Sequence, residues 1–301
     1  WQDHVAFGSK FHKGTGDVPG ILSGIIENVI VADPSAPDSI KQLLVKNSDD
    51  IAAVILEPTG AGSGQVPLGR DVVKMLRETT EKLGIVLIFD EVVTGFRVSP
   101  GGVQAAWGVL PDLTALAKIL GGGLPGGALV GRRDILDLMD FNAAEKQGFS
   151  KIPHQGTFNA NPLSAAAGVA MLNQVAETNI TTKANEQGAK LKALWNSVFT
   201  AEGVPWSAYG LGSSVYIFTN PGNLKIDPEN FDARTQPMAV MESGGNHPAA
   251  TLFRLAMLVN GVDLSSKPGA IVSAVHEEDD ITEAAEALRA SLAMLKAEAL
   301  L

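Results

Sequence analysis

The chain alternates short apolar runs with segments of helical periodicity. Three runs rich in valine and isoleucine each end at polar residues: NVIVAD (28–33), IAAVILEP (51–58) and IVLIFDE (85–91). Such continuous runs are typical of strands buried on both faces of a parallel sheet. Between the last two runs, Gly84 stands where a helix would end, and one face of that helix would carry Val72, Met75, Leu76, Thr79 and Leu83. The pattern predicts a βαβ unit.

The order of predicted elements changes near residue 175. Short strands at 113–117 and 127–131 and a long helix at 161–175 complete the first part. The second part has predicted helices at 181–201, 249–260 and from 277, strands at 205–210, 214–219 and 270–274, and a loop over 220–247. A mixture of strands and helices after a parallel half indicates a second domain. We therefore predict an α/β fold with a mostly parallel large domain (1–175) and a smaller C-terminal α+β domain (176–301).

Composition and charge exclude several classes of function. The 33 acidic and 23 basic residues give a net charge of −10 without a basic cluster, so we expect no nucleic-acid partner. No apolar run approaches the ~18 residues of a membrane helix, and WQDHVAFGSK at the start lacks the apolar core of a signal peptide. The absence of cysteine excludes disulfides and Cys-ligated zinc and fits a reducing compartment. We expect a cytoplasmic protein without a metal, and the start at tryptophan suggests missing upstream residues.

Two charged residues at strand ends are the candidates for chemistry. Asp90 comes at the end of the most apolar run, and Lys118 follows the predicted strand at 113–117. Ligands of open parallel sheets bind outside the carboxyl ends of the strands, so both side chains could face one crevice. An apolar setting lowers the pKa of a lysine and makes its amine a nucleophile toward carbonyls. Taken alone, Asp90 could equally cap its strand or meet solvent, and Lys118 could be a solvated loop lysine.

Three motifs together resemble those of the class III aminotransferases: IFDEVVTGFR (88–97), PDLTALAKILGGGLPGGALVGRRDIL (111–136) and HQGTFNANPLSAAAGVAML (154–172). The variant with TGFR, GGVQAAWGV and PDLT is similar to the branch that contains glutamate-1-semialdehyde aminomutase and related transaminases. The resemblance runs in order from WQDHVAFG at residue 1 to HEEDDITEAAEAL at 276–288. It implies pyridoxal 5′-phosphate (PLP) as cofactor and the PLP-dependent transferase fold type I.

The resemblance also implies roles for four residues. Lys118 would form the internal aldimine with PLP and move the proton between the substrate carbon and the cofactor. Asp90 would pair with the pyridine nitrogen and keep the ring protonated, so that the ring accepts the electrons of the broken C–H bond. Val92 would pack against the ring face, although core packing explains a valine equally well. Thr157 would bind the cofactor phosphate of the neighbouring subunit, which implies a homodimer with a shared active site.

Other residues of the motifs receive structural roles. Asn161 and the proline after it would shape the start of the following helix, and His154 has no role carried over. We assign Arg254 to a helix, also with a structural role. The glycines of GGGLPGG (121–127) permit the backbone turns that bring Lys118 to the ring.

Departures from the aminomutase pattern favour a transaminase. Gly62 stands where that pattern has an asparagine, and the segment 261–276 is shorter and lacks a glutamate near Pro268. We therefore predict an aminotransferase that moves an amino group from an amine or amino acid to a keto acid or aldehyde. Two alternatives stay open: a glutamate-1-semialdehyde 2,1-aminomutase, and an inactive truncated homologue, since the family's aromatic-His-Gly segment and its phosphate-binding loop would precede Trp1.

Overall fold

The computed structural model describes residues 21–243, 248–265 and 267–301. The first twenty residues, which include WQDHVAFG of the family resemblance, lie outside the described residues. The strands are β1 (Ala53–Leu56), β2 (Val66–Pro67), β3 (Val86–Glu91), β4 (Leu113–Ala117), β5 (Gly127–Gly131), β6 (Ser207–Tyr209), β7 (Ser214–Phe218) and β8 (Gly269–Ile271). The helices are α1 (Ser23–Ile26), α2 (Pro37–Lys46), α3 (Arg70–Leu83), α4 (Gly102–Trp107), α5 (Arg133–Leu136), α6 (Phe141–Gln147), α7 (Pro162–Glu177), α8 (Ile180–Ala201), α9 (Met238–Ser243), α10 (Pro248–Val259) and α11 (Glu278–Ala297).

The first sheet is mostly parallel and has the order β1-β3-β4-β5. Strand β3 pairs in parallel with both β1 and β4, and β5 pairs antiparallel with β4. Helix α3 connects β1 to β3, which confirms the predicted βαβ unit. It ends at Gly84, whose φ of 70° is the left-handed conformation that glycine adopts without steric cost. The helix packs through Val73 against Leu87 and Phe89 of β3, and all three side chains are fully buried.

The prediction of a strand at 28–33 is wrong. The backbone N–H groups of Asn28 and Val29 donate to the carbonyls of Ile25 and Ile26, so a turn satisfies them locally. A strand needs a neighbour to pair with, and no described strand pairs with this segment. Among the described strands β1 therefore lies at the edge of the sheet, and Ile55 on it is 58% exposed, so the expectation of burial on both faces fails there.

Asp112 fastens β3 to the start of β4. Its buried carboxylate accepts from the Leu87 N–H at 2.8 Å, from Arg77 at 3.0 Å and from Arg132 at 3.1 Å. Burial alone would raise the pKa of this carboxyl, but the hydrogen bonds from Leu87 and the two arginines outweigh burial and lower the pKa below its usual value. The charged form of Asp112 therefore helps to hold the start of β4 beside β3.

Replacing Asp112 should destabilise the fold in a pH-dependent way. Because the folded pKa is depressed, the charge stabilises fully above the unfolded pKa of ~3.9 and loses this effect as pH falls through the folded value. We expect Asp112→Asn to lower the free energy of unfolding by about 1–3 kcal/mol at pH 7. Urea denaturation at several pH values should show this difference shrinking below about pH 4. A difference that stays constant with pH would contradict the assignment.

The second sheet is antiparallel, has the order β6-β7-β8 and lies against α8, α10 and α11. Its core contains Trp206, whose ring meets Phe253 edge-on at a centroid distance of 5.2 Å. The largest fully buried side chains around that pair are Trp195, Phe199, Met257, Leu288 and Leu292. This arrangement confirms the predicted strands and helices after residue 176, with β8 ending at Ile271. The boundary between domains at 175/176 stays a prediction.

The predicted loop at 220–247 is only partly confirmed. It contains a 3₁₀ turn at Ala233–Thr235 and helix α9, and residues 244–247 lie outside the described part. Met241 of α9 is buried in a cluster with Val66 and Phe218, so an apolar contact with the two strands stabilises this short helix.

No helix among the described residues has the length and apolar character needed to cross a membrane.

Candidate active site

The carboxyl ends of β3 and β4 open into one cavity. Asp90 on β3 pairs in register with Ala115 of β4, and Lys118 is the first residue after β4. The cavity has a volume of about 370 Å³, is open to solvent and is lined by Glu57, Gly62, Ser63, Gln65, Asp90, Val92, Val93, Lys118 and Lys267. The structure therefore brings Asp90, Val92 and Lys118 together at the sheet edge where parallel α/β proteins bind ligands.

Lys118 occupies an unusual backbone conformation. It begins the 3₁₀ turn Lys118–Gly121 with a φ of 54°, in the left-handed region that costs a non-glycine residue about 1 kcal/mol or more. Gly122 continues the turn with a φ of 59°, and a Cβ there would lie 2.2 Å from the Ala167 carbonyl of α7. Close packing on α7 thus requires this glycine. The Lys118 side chain is exposed in the single chain, so the expected apolar setting is not found around it.

Asp90 has no charged partner among the described residues. Its carboxylate accepts one local hydrogen bond, from the Val92 N–H at 3.1 Å. The neighbouring Glu91 faces the opposite side of β3, as strand geometry requires, and is fully buried. It accepts from the N–H of Val103 at 2.7 Å and from Thr94 Oγ1 at 2.9 Å. Alternation along one strand therefore leaves Asp90 free to meet a ligand, whereas Glu91 holds the following turn.

Glu57 forms part of the cavity wall, and sequence reasoning did not select it. Its carboxylate accepts from the Gly62 N–H at 2.8 Å and from the N–H and hydroxyl of Ser63. These bonds hold a turn in which Gly62 and Ser63 have φ values of 65° and 61°. The signal in the sequence was an acid at the end of a strand followed by a glycine-rich segment, EPTGAGSG (57–64).

The second sheet is fastened to this turn by two tyrosines. The Tyr209 hydroxyl donates to the Gln65 carbonyl at 2.6 Å, and the Tyr216 hydroxyl donates to the Ser63 carbonyl at 3.1 Å. Burial raises the pKa of both phenols, and the neighbouring Glu57 raises that of Tyr216 further. Both therefore remain neutral donors at physiological pH. The turn that contributes Gly62, Ser63 and Gln65 to the cavity is thus held against the second sheet.

Lys267 contributes a second ammonium group to the cavity. It stands just before β8 in the sequence, is half-buried and was not selected by sequence reasoning. Within the described ranges its side chain makes no ion pair or hydrogen bond. No motif marked this lysine, because 148 residues lie between it and Lys118 and only folding brings the two to one cavity.

Thr157 does not lie in the cavity of this chain. It is exposed in the turn 157–160 that precedes α7. Asn161 caps α7 by accepting from the N–H groups of Leu163 and Ser164, which confirms its structural role. Arg254 lies on α10 and donates to the Leu264 carbonyl at 3.2 Å, also in a structural role, and His154 is exposed.

Comparison with known proteins identifies the family. The family model for class III aminotransferases matches residues 9–212, more than half of the chain. Glutamate-1-semialdehyde 2,1-aminomutase of Methanosarcina acetivorans is 34% identical over 91% of this chain and 60% of its own length. An omega-transaminase from Sphaerobacter thermophilus superposes with a TM-score of 0.76 at 27% identity, over 92% of this chain and 59% of the other.

A further solved structure, a transaminase with PLP bound, superposes with a TM-score of 0.78 at 26% identity, over 93% of this chain and 61% of that one. The chain thus spans about 60% of the length of these relatives. The likeness confirms the predicted fold type I architecture, here with a mostly parallel, mixed first sheet. The chain belongs to the class III aminotransferase family.

Proposed function

We propose that the protein is a PLP-dependent aminotransferase that uses Lys118 and Asp90. The observation that carries this proposal is their meeting in one cavity, where neither side chain has an ion-pair partner among the described residues. The residues present fit the cofactor: a lysine amine suits its aldehyde, a carboxylate suits its ring nitrogen, and Val92 offers an apolar contact between them. The family match supports the same assignment.

Each residue has a distinct task in this proposal. PLP, when bound, supplies an electron sink for the charge left on the substrate carbon after its C–H bond breaks. Lys118 would hold the cofactor through its Nζ, and once the substrate amine has taken its place this Nζ would move the proton between the substrate carbon and the cofactor. Asp90 keeps a proton on the ring nitrogen through a charge-assisted hydrogen bond. Val92 restricts the ring on one face.

The sequence at two cavity positions favours a transaminase over an aminomutase. Gly62 carries no side chain that could hold an intermediate. Its φ of 65° is also accessible to asparagine, so the backbone does not require a glycine there. An added Cβ would meet only the side chain of Gln65, most closely its flexible end at 2.8 Å. The position near Pro268 offers Lys267 instead of a glutamate. The 34% identity to an aminomutase keeps that activity as the second candidate.

One experiment separates the candidates. The PLP-loaded protein mixed with an amine donor alone should lose the yellow absorbance of its cofactor and release one carbonyl product per site. A separate keto acid or aldehyde should then restore the colour. Isomerisation of glutamate-1-semialdehyde without exchange with outside carbonyl compounds would establish the aminomutase instead. A protein that binds no PLP would be the inactive homologue.

The same proposal includes a homodimer with Thr157 acting across the interface. An exposed threonine outside the chain's own cavity is available to a partner copy. Large exposed apolar side chains lie near it in the sequence, namely Phe141, Ile152, Phe158, Leu163 and Val169, and such side chains are suited to an interface between copies. Sedimentation of the PLP-loaded protein should give twice the chain mass, and an active monomer would contradict the dimer. A cytoplasmic location stays a prediction.

A further inference from the structure

One of the charged groups that line the cavity, the ammonium of Lys267, has no role in the proposed function. Glu57, Asp90, Lys118 and Lys267 are the four charged residues in its wall. The turn that follows Glu57 already supplies hydrogen-bond donors to its carboxylate. In the proposed function, Asp90 and Lys118 are engaged by the cofactor. Lys267 then remains as a positive charge with no partner among the described residues.

The fold holds the backbone of Lys267 firmly. The Ile217 N–H donates to the Pro268 carbonyl at 3.0 Å, and the Ser265 N–H donates to the Gly269 carbonyl at 3.0 Å. Gly269 packs so tightly on β7 that a Cβ there would lie 2.6 Å from the Val215 carbonyl. The bonds on both sides of Lys267 therefore fix where its side chain enters the cavity.

A second free donor lies in the same wall. The side-chain amide of Gln65 lines the cavity and, in the described part of the chain, makes no hydrogen bond. The nearby hydroxyls of Tyr209 and Tyr216 are already used on backbone carbonyls. Lys267 and Gln65 also line a smaller adjoining cavity together, so the two side chains border the same space. An ammonium and an amide N–H₂ offer a donor to each oxygen of a carboxylate.

We propose that Lys267, assisted by Gln65, binds the carboxylate of the substrate, so that the protein acts on amino acids and keto acids rather than on simple amines. This inference rests on the proposed aminotransferase function. A half-buried ammonium without a counter-ion gains from an anion placed beside it, because the attraction is screened less than at an exposed site. A single ammonium also matches a monoanionic carboxylate better than the dianionic phosphate of the cofactor.

The test compares two donors that differ only at the carboxylate. Alanine and isopropylamine share the amine-bearing carbon and one methyl group, and a second methyl group replaces the carboxylate in the amine. For each, the loss of cofactor absorbance is followed against donor concentration in wild type, Lys267→Met and Lys267→Arg. We expect Lys267→Met to lower kcat/KM for alanine about 10- to 100-fold, mainly through KM. The value for isopropylamine should change less than about twofold, and Lys267→Arg should restore most of the activity with alanine.

Binding of an unreactive acid gives a readout that does not depend on turnover. Isobutyrate should perturb the absorbance of the PLP-loaded wild type and bind at least about 10-fold more weakly to Lys267→Met. Lys225→Met is the matched control, because Lys225 is exposed in the same part of the chain and lies outside the cavity. It should leave both donors and isobutyrate unaffected.

The outcomes separate this inference from the function on which it rests. Equal effects of Lys267→Met on both donors, or no effect on either, would overturn the carboxylate assignment while leaving the aminotransferase intact. Weaker retention of PLP in Lys267→Met would also overturn it and would place the lysine on the cofactor phosphate. A wild-type protein that binds no PLP or exchanges no amino group would overturn the proposed function itself, and this inference with it.

Discussion

Lys118→Ala should lower turnover at least about 10³-fold. The substitution removes both the amine that holds the cofactor and the base that moves the substrate proton, and general acid–base catalysis alone accounts for roughly 10²–10⁴-fold. Among the described residues that line the cavity, the only other amine is that of Lys267, which stands just before β8. Turnover of the PLP-loaded variant measures the loss, and reduction with borohydride followed by peptide mapping shows which lysine carries the pyridoxyl group.

Lys146→Ala is the matched control for this prediction. Lys146 is an exposed lysine in the last turn of α6 and lies outside the cavity, so its replacement should leave turnover and PLP content unchanged. Alanine at 118 has the same left-handed backbone strain as lysine, and we expect the thermal midpoint of the variant to stay near that of wild type. A pyridoxyl adduct on any other lysine, or substantial turnover without Lys118, would refute its role.

The elements that sequence reasoning predicted well are those whose ends carry a chemical marker. Gly84 marks the end of α3, and Asn161 followed by proline marks the start of α7. In both places the local chain itself supplies or permits the terminal conformation. The apolar run at 28–33 has a similar composition to β3 but pairs with none of the strands that the structure describes. Strand pairing is a tertiary property, so composition alone could not decide this case.

The residues of the candidate site also differ in whether the sequence alone could indicate them. Asp90 and Lys118 could be selected as candidates because each stands at the end of an apolar strand, and adjacent parallel strands end at one sheet edge. Their proposed roles came from the resemblance to the class III aminotransferases, since the strand-end position alone left other interpretations open. Glu57 and Lys267 could not be selected, since their place in the wall depends on how the turn after β1 packs against the second sheet. The left-handed backbone of Lys118 was also hidden, because nothing in a lysine's side chain indicates a positive φ.

Asp90→Asn should keep the fold and lose most of the activity. Asparagine is nearly isosteric, and its amide oxygen can still accept from the Val92 N–H that Asp90 now binds. It cannot keep a proton on the ring nitrogen, because it carries no negative charge. Loss of a charge-assisted hydrogen bond costs roughly 1.5–3 kcal/mol in binding. The kinetic effect should be larger, about 10²-fold or more in turnover, because the protonated ring is needed most when the substrate carbon carries negative charge.

Glu91→Gln is the control variant for Asp90→Asn. Both substitutions remove one negative charge from adjacent residues of β3, but Glu91 is fully buried and holds the turn through Val103 and Thr94. The Glu91→Gln substitution should therefore lower the denaturation midpoint while leaving turnover per folded molecule close to that of wild type. For Asp90→Asn we expect the reverse, an unchanged midpoint with a changed cofactor absorbance and slow turnover. Near-normal turnover in Asp90→Asn would show that this carboxylate does not act on the ring nitrogen.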